Sequence, residues 1–271
     1  MATIANTQVE AELPPSGSPL AQAIDRWIYV YMAASFVVVT LTGFIPDSIG
    51  LLADAKSGAI PPLPLVLHFH AVLMGSFLLL VLAQTTLAAT GRIEGHRQLG
   101  RVAMVLVPAL VLVGFVLVPT IYRSVWFSAQ SAPLPARAQL QHVVLRLDNI
   151  MLFQLRIGVL FPLFIFLGLR ARKHDYAFHK RMMILATGIA LPAAINRMTW
   201  LPATLPASPL SADLYMLLVL SPMFVWDVIR NHIVSRAYLV WLGTYFLASI
   251  PLYLAWGQPW WQVIAPRVMG L

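Results

Sequence analysis

The apolar runs of this chain decide most of what it can fold into. They cover residues 27–44, 65–89, 102–118, 148–169, 182–198, 214–229 and 238–256, with short polar or proline-containing segments between them. Each is close to the roughly 20 residues a helix needs to cross a hydrocarbon core about 30 Å thick. In hydrocarbon every backbone N–H and C=O must be satisfied within the chain, which only helices and closed barrels achieve. The runs are continuous rather than alternating, so the pattern is that of helices and not of barrel strands. The expectation is an all-α fold: a polytopic helical membrane protein with about seven transmembrane helices. Composition agrees, since only 10% of residues are charged against about 25% in a soluble domain.

Three regions follow from this pattern. Residues 1–22 are polar and hold Pro and Ser, and read as a disordered tail. They lack the cationic start of a secretory signal, so the first apolar run is expected to be a retained span. Residues 23–257 form the seven-helix domain, and residues 258–271, with Trp260 and Trp261, read as an interfacial C-terminal tail. The net charge of +8 comes from Lys and Arg placed mostly in the turns. With the N-terminus inside, eleven of them fall on the inner side and five on the outer, which orients the chain N-in and C-out. The same placement explains the basic character without nucleic acid as a partner; the partner is the bilayer. There is no cysteine, which excludes disulfides, thiolate metal sites and cysteine nucleophiles.

The stretch from His142 to Gly168 carries the most polar residues for its depth. At about 100° per residue Arg146, Asn149 and Arg156 share a helix face, with His142 one turn above. With His68, His70, Asp148, Asn196 and Arg197 they form an outer set in which cations outnumber acids. Asp148 is the only acid at a helix position, and the loop acids Asp47, Asp54 and Asp213 are placed at the rim. A buried charge needs a partner. The excess of arginine therefore points to a small anionic ligand in an outward-facing cavity, held by forked guanidinium contacts. The competing reading is that these side chains snorkel to lipid phosphates. Histidine beside arginine also fits haem b, with His68 or His70 and His142 as axial ligands and Arg146, Arg156 or Arg197 on the propionates. A metal on His68, His70 and His142 is the remaining possibility, without a recognised ligand spacing behind it.

A second set lies at the basic turns: His96, Arg97, Arg101, His179, Asp227, Arg230 and His232. Most of it reads as solvated surface facing anionic lipid. Asp227 stands in the last turn of its span, where the helix dipole disfavours a carboxylate, so it is expected to pair with Arg230, Arg181 or Arg97 and lock hairpins together. Prolines recur within the spans, at Pro108, Pro162, Pro192, Pro222 and Pro251, and predict kinked helices.

His70, Gln84 and the turn His96-Arg97-Gln98-Leu99-Gly100-Arg101, with the His179-Lys180-Arg181-Met182-Met183 turn, resemble a domain-of-unknown-function family of bacterial multi-pass membrane proteins. The similarity runs over most of residues 65–257 through short motifs. It implies this architecture and a bacterial inner-membrane setting, and brings no activity with it. Three functions remain open: binding of an anionic or haem-like cofactor for membrane redox chemistry, transport of a small anion, and a non-catalytic membrane subunit or assembly factor.

Overall fold

The computed structural model describes residues 17–271, whose regular elements are all helices, with no strand among them. Residues 1–16, most of the expected tail, lie outside that description. The elements are α1 (Pro19–Ser57), α2 (Leu65–Ala89), α3 (Ile93–Ser131), α4 (Ala136–Ala171), α5 (Tyr176–Gly188), α6 (Leu191–Ile195), α7 (Leu210–Asn231), α8 (Arg236–Ala255) and α9 (Pro259–Val268). Six of them, α1, α2, α3, α4, α7 and α8, are long and apolar enough to cross a membrane.

Local chemistry sets the ends. Ser18 caps α1 by accepting from the Ala21 amide at 3.3 Å, and Pro19 opens the helix where its missing N–H is not needed. Pro19–Gln22 therefore belong to this helix. Gly58 closes α1 in the left-handed region, at φ 77°. Asp175 caps α5 through the Phe178 amide at 2.8 Å. Residues 45–57 and 119–131, expected as loops, are helical. Pro46 and Pro119 lie inside α1 and α3 without ending them, because flanking turns keep the ladder. Both helices have 39 residues, about 58 Å of rise, and so project well beyond a hydrocarbon core.

The expected fifth span is instead two pieces. The ladder breaks at Ile189–Ala190 ahead of Pro192, which opens α6. This break is why the structure holds six membrane-length helices where about seven were expected. Short α6 is wedged against α1 at Gly43, where a side chain would lie 2.2 Å from the Ala194 carbonyl oxygen; only glycine admits that approach.

Helix α4 is central: 44% of its apolar window is buried, against 17–33% in the other five. Its Leu160, Phe161 and Phe164 join Phe36 of α1, Phe77 of α2 and Trp241 of α8 in one large core, and Phe77 meets Phe161 edge-on at 5.3 Å. A second cluster around Tyr122, Met151, Trp256 and Trp261 packs α9 against α3 and α4. The outside is apolar too: Val72, Val105, Leu112, Leu218 and Leu247 are all more than 60% exposed. Leucine and valine facing outward along six helices suit lipid, not water, as the surrounding medium.

Candidate functional site

Helix α7 carries two carboxylates fourteen residues apart, about 21 Å along its axis and within about 40° of one face. Each meets the same pair of residue types. Near its start Asp213 takes Arg156 of α4 bidentately, at 2.6 and 3.0 Å, and the Tyr253 hydroxyl of α8 at 3.0 Å. Near its end Asp227 takes Arg181 of α5 at 2.6 and 2.9 Å, and the Tyr238 hydroxyl of α8. Five of these six side chains are buried outright, Asp213, Asp227, Arg156, Arg181 and Tyr238, and Tyr253 is partly exposed. The α7–α8 hairpin is thus clamped to α4 at one end and to α5 at the other by two Arg–Asp–Tyr triads. Forked N–H···O pairs of this kind are the strongest hydrogen bonds available to a guanidinium.

The triad at Asp213 is the more elaborate. Arg156 also donates to Ser249 Oγ at 2.7 Å, and its guanidinium carbon lies 4.5 Å from the Tyr245 ring centroid and 5.2 Å from that of Phe153. Tyr245 in turn stacks flat on Trp241, with centroids 5.0 Å apart and planes 4° from parallel. Arg156 Nε and the Tyr245 hydroxyl are both sealed from the surface; Arg156 Nε has no hydrogen-bond partner, and the Tyr245 hydroxyl faces the Asp213 carboxylate. Asp213, Tyr245, Ser249 and Tyr253 lie behind a groove of about 600 Å³ between α7 and α8, whose walls are Leu210, Leu214, Leu217, Phe246, Leu247 and Ile250. Leu214, Phe246, Leu247 and Ile250 are exposed, so the groove opens sideways onto the apolar surface.

Pairing inside the chain corrects the charge argument from the sequence. Asp213 is not a rim acid; it opens α7 and folds over Arg156, so this guanidinium is neutralised without an added anion. Arg197 likewise has its own acid, donating to Asp47 at 2.9 Å while lying over Phe44 at 4.3 Å. Asp47 reaches it because α1 continues as helix past Phe44. The two arginines share no partner. Among the expected outer residues, His142 and Arg146 are exposed on α4, and neither makes a polar side-chain contact among the described residues; Asn196 is exposed as well. Asn149 accepts from the Gly257 amide at 2.9 Å and ties α4 to the turn before α9.

Asp148 is 1% exposed and faces the Tyr122 hydroxyl at 2.6 Å, while its carbonyl accepts from Trp261 at 2.8 Å. No salt bridge forms to it among the described residues. His68 is exposed, and half-buried His70 has an Nδ1 without a partner. No group of three His, Asp or Glu side chains able to hold a metal forms among the described residues, so the metal reading of His68, His70 and His142 has no geometry behind it. His68 and His70 both lie in the first turns of α2, where a two-residue spacing points them apart.

The second set assembles in part. His96 Nδ1 lies 3.2 Å from the Gln84 carbonyl and His179 Nδ1 lies 2.8 Å from that of Gly168. A carbonyl only accepts, so both rings carry their proton on Nδ1. Each histidine ties the second helix of a hairpin to the first, as Tyr238 and Asp227 do for α7 and α8. Asp227 selects Arg181, leaving Arg230 for Asp25 of α1 at 2.8 Å, where Trp226 also donates. Arg97 and Arg101 stay exposed, and His232 closes α7 at φ 58°. Sequence reasoning missed Tyr245, Ser249 and Tyr253. Their four-residue spacing, on the same face as Trp241, was the one available signal.

A scan against family models, a search of curated proteins and a search of solved structures each found no match.

Proposed function

We propose that this integral membrane protein binds a lipid-soluble molecule taken laterally from the bilayer into the α7–α8 groove. The observation that carries the reading is the groove itself: almost wholly apolar walls and an opening on the lipid-facing surface, with Asp213, Tyr245, Ser249 and Tyr253 behind them. An almost wholly apolar surface of this kind accepts a lipophilic molecule and disfavours a charged one. The α7–α8 hairpin is held at both ends by buried ion pairs, so the groove between its helices is a preformed cleft. The charge pairing at Arg156 and Arg197 withdraws support from a small-anion permease, since no buried arginine is left over to act as a substrate clamp.

The bacterial inner membrane is the setting we propose, on the strength of the His96–Arg101 and His179–Met183 turns. An N-in, C-out orientation rests on the basic residues of those turns.

The test is extraction. Protein purified from its native membrane retains a lipophilic compound in near-stoichiometric amount, identified by mass spectrometry of an organic extract. In Ile250→Trp, where an indole fills the groove, that compound is lost while the thermal unfolding temperature holds. Equal extracts from the two proteins refute the reading.

A further inference from the structure

A surplus of positive charge does exist in this chain, at the basic ends of α3 and α4, away from the α7–α8 groove. Arg97, Arg101 and Met104 fall within about 60° of one another on α3, over about 10 Å of its axis. That face looks at α4. Phe115, on the same side of α3, lies against Gly158, where a Cβ would stand 3.7 Å from its ring. Arg172, at the end of α4, donates to Met104 Sδ at 3.9 Å. Three guanidinium groups thus share one seam between the two helices. His179 adds to it: its ring is tied to the Gly168 carbonyl, one turn before Arg172, and it lies within electrostatic reach of Arg172 and His96.

The acids near this seam are engaged elsewhere. Glu94 accepts from the Gln98 side-chain amide at 3.0 Å, and Asp175 caps α5 and faces Arg236 at 3.9 Å. Asp25 holds Arg230, and Asp227 holds Arg181. Among the described residues no carboxylate pairs with Arg97, Arg101 or Arg172. At Arg156 and Arg197 the chain supplies its own counter-ion; here it does not. Arginine forks match phosphate oxygens, and one phosphate among three guanidinium groups relieves their mutual repulsion.

The position of the seam selects the source of that phosphate. It closes two membrane-length helices, and the surface leading away from it is apolar: Met104, Val105 and Phe115 of α3 and Phe166 of α4 are 50–72% exposed. A phosphate held here with acyl chains along those side chains satisfies both halves of the surface, and basic pockets between transmembrane helices take head groups in this way. A choline head group would bring its own cation towards the three arginines.

We infer that the α3–α4 seam binds one anionic glycerophospholipid, its phosphodiester bridging Arg97, Arg101 and Arg172 and its acyl chains lying against Met104, Val105 and Phe166.

The experiment uses the full chain, delipidated in a neutral detergent. Three probes are titrated: dioleoyl phosphatidylglycerol, dioleoyl phosphatidylcholine and inorganic phosphate. Binding is followed as ligand-dependent thermal stabilisation, and the number of lipids retained by native mass spectrometry. Phosphatidylglycerol should bind saturably with one molecule retained, and the other two probes far more weakly. Arg101→Gln should weaken it about fivefold, and the triple variant Arg97→Gln, Arg101→Gln, Arg172→Gln roughly a hundredfold. The control triple Arg92→Gln, Arg170→Gln, Lys173→Gln removes the same charge off the seam and should weaken it no more than about twofold. Unfolding temperatures without ligand check the fold of each variant, and if the seam triple is unfolded the single Arg101→Gln carries the comparison. Equal losses in the two triples, or an unchanged affinity in Arg101→Gln, overturn the site in favour of a diffuse basic surface. Phosphatidylcholine bound as tightly as phosphatidylglycerol, or no saturable binding of either, also overturns it. Inorganic phosphate that stabilises as strongly as the lipid assigns the seam to a soluble anion instead.

Discussion

The same substitution at two buried aspartates should give opposite results. Asp213 and Asp148 are 5% and 1% exposed, but Asp213 faces a guanidinium and Asp148 faces a phenol. In Asp213→Asn the side-chain volume stays, yet Arg156 is left charged among Phe153, Tyr245 and Ser249 with no counter-ion. Removing one member of a buried pair costs about 3–5 kcal/mol. At about 2–4 °C per kcal/mol for a chain of this size, the unfolding temperature should fall by roughly 6–20 °C. Asp148→Asn keeps an oxygen to accept from Tyr122 and strands no cation, so it should cost less than about 1 kcal/mol. Intrinsic-tryptophan melting of the detergent-purified proteins measures both. The double variant Arg156→Met with Asp213→Leu supplies the control: replacing the whole pair by apolar groups should recover most of the loss. Equal effects from the two Asn variants, or a double variant as unstable as the sum of its parts, would refute the reasoning that pairing, and not burial alone, is what Asp213 provides.

Other expectations are simpler. Gly43→Ala should destabilise by about 1–3 kcal/mol or more, because the new methyl meets the Ala194 backbone, while Gly75→Ala, with nothing within 4 Å, should be neutral or mildly stabilising; paired melting curves decide. Arg197→Ala should shift stability by no more than about 1 kcal/mol, since its pair with Asp47 is 36% exposed on both sides. The chain lacks cysteine, so single cysteines can be introduced without background. Lys173→Cys should be labelled by an impermeant maleimide only after the inner face is opened, and Arg137→Cys from outside in intact cells. The reverse pattern would invert the orientation.

What the sequence by itself determined is the medium and the element type. Runs of about twenty apolar residues leave the backbone no choice but helix in lipid, and the bounds of α2 and α8 follow the apolar pattern within a residue or two. That Arg156 is shielded from solvent was also readable, from the uncharged leucine, phenylalanine and isoleucine that follow it. Its partner was not. Asp213 lies fifty-seven residues away beyond a proline-rich segment, and local pattern cannot say whether a helix-opening acid faces solvent or folds over another helix. The same limit hid Tyr245 and Tyr253, which read as ordinary aromatic residues of a span until α8 packs against α7 and α4. The break between α5 and α6 escaped for a different reason. Hydropathy records only that a segment is greasy, whereas the break follows from Pro192 together with the close approach of Gly43 to Ala194, a contact between segments about 150 residues apart. Charge balance in a buried site is a sum over neighbours in space, and only the tertiary structure supplies that list of neighbours.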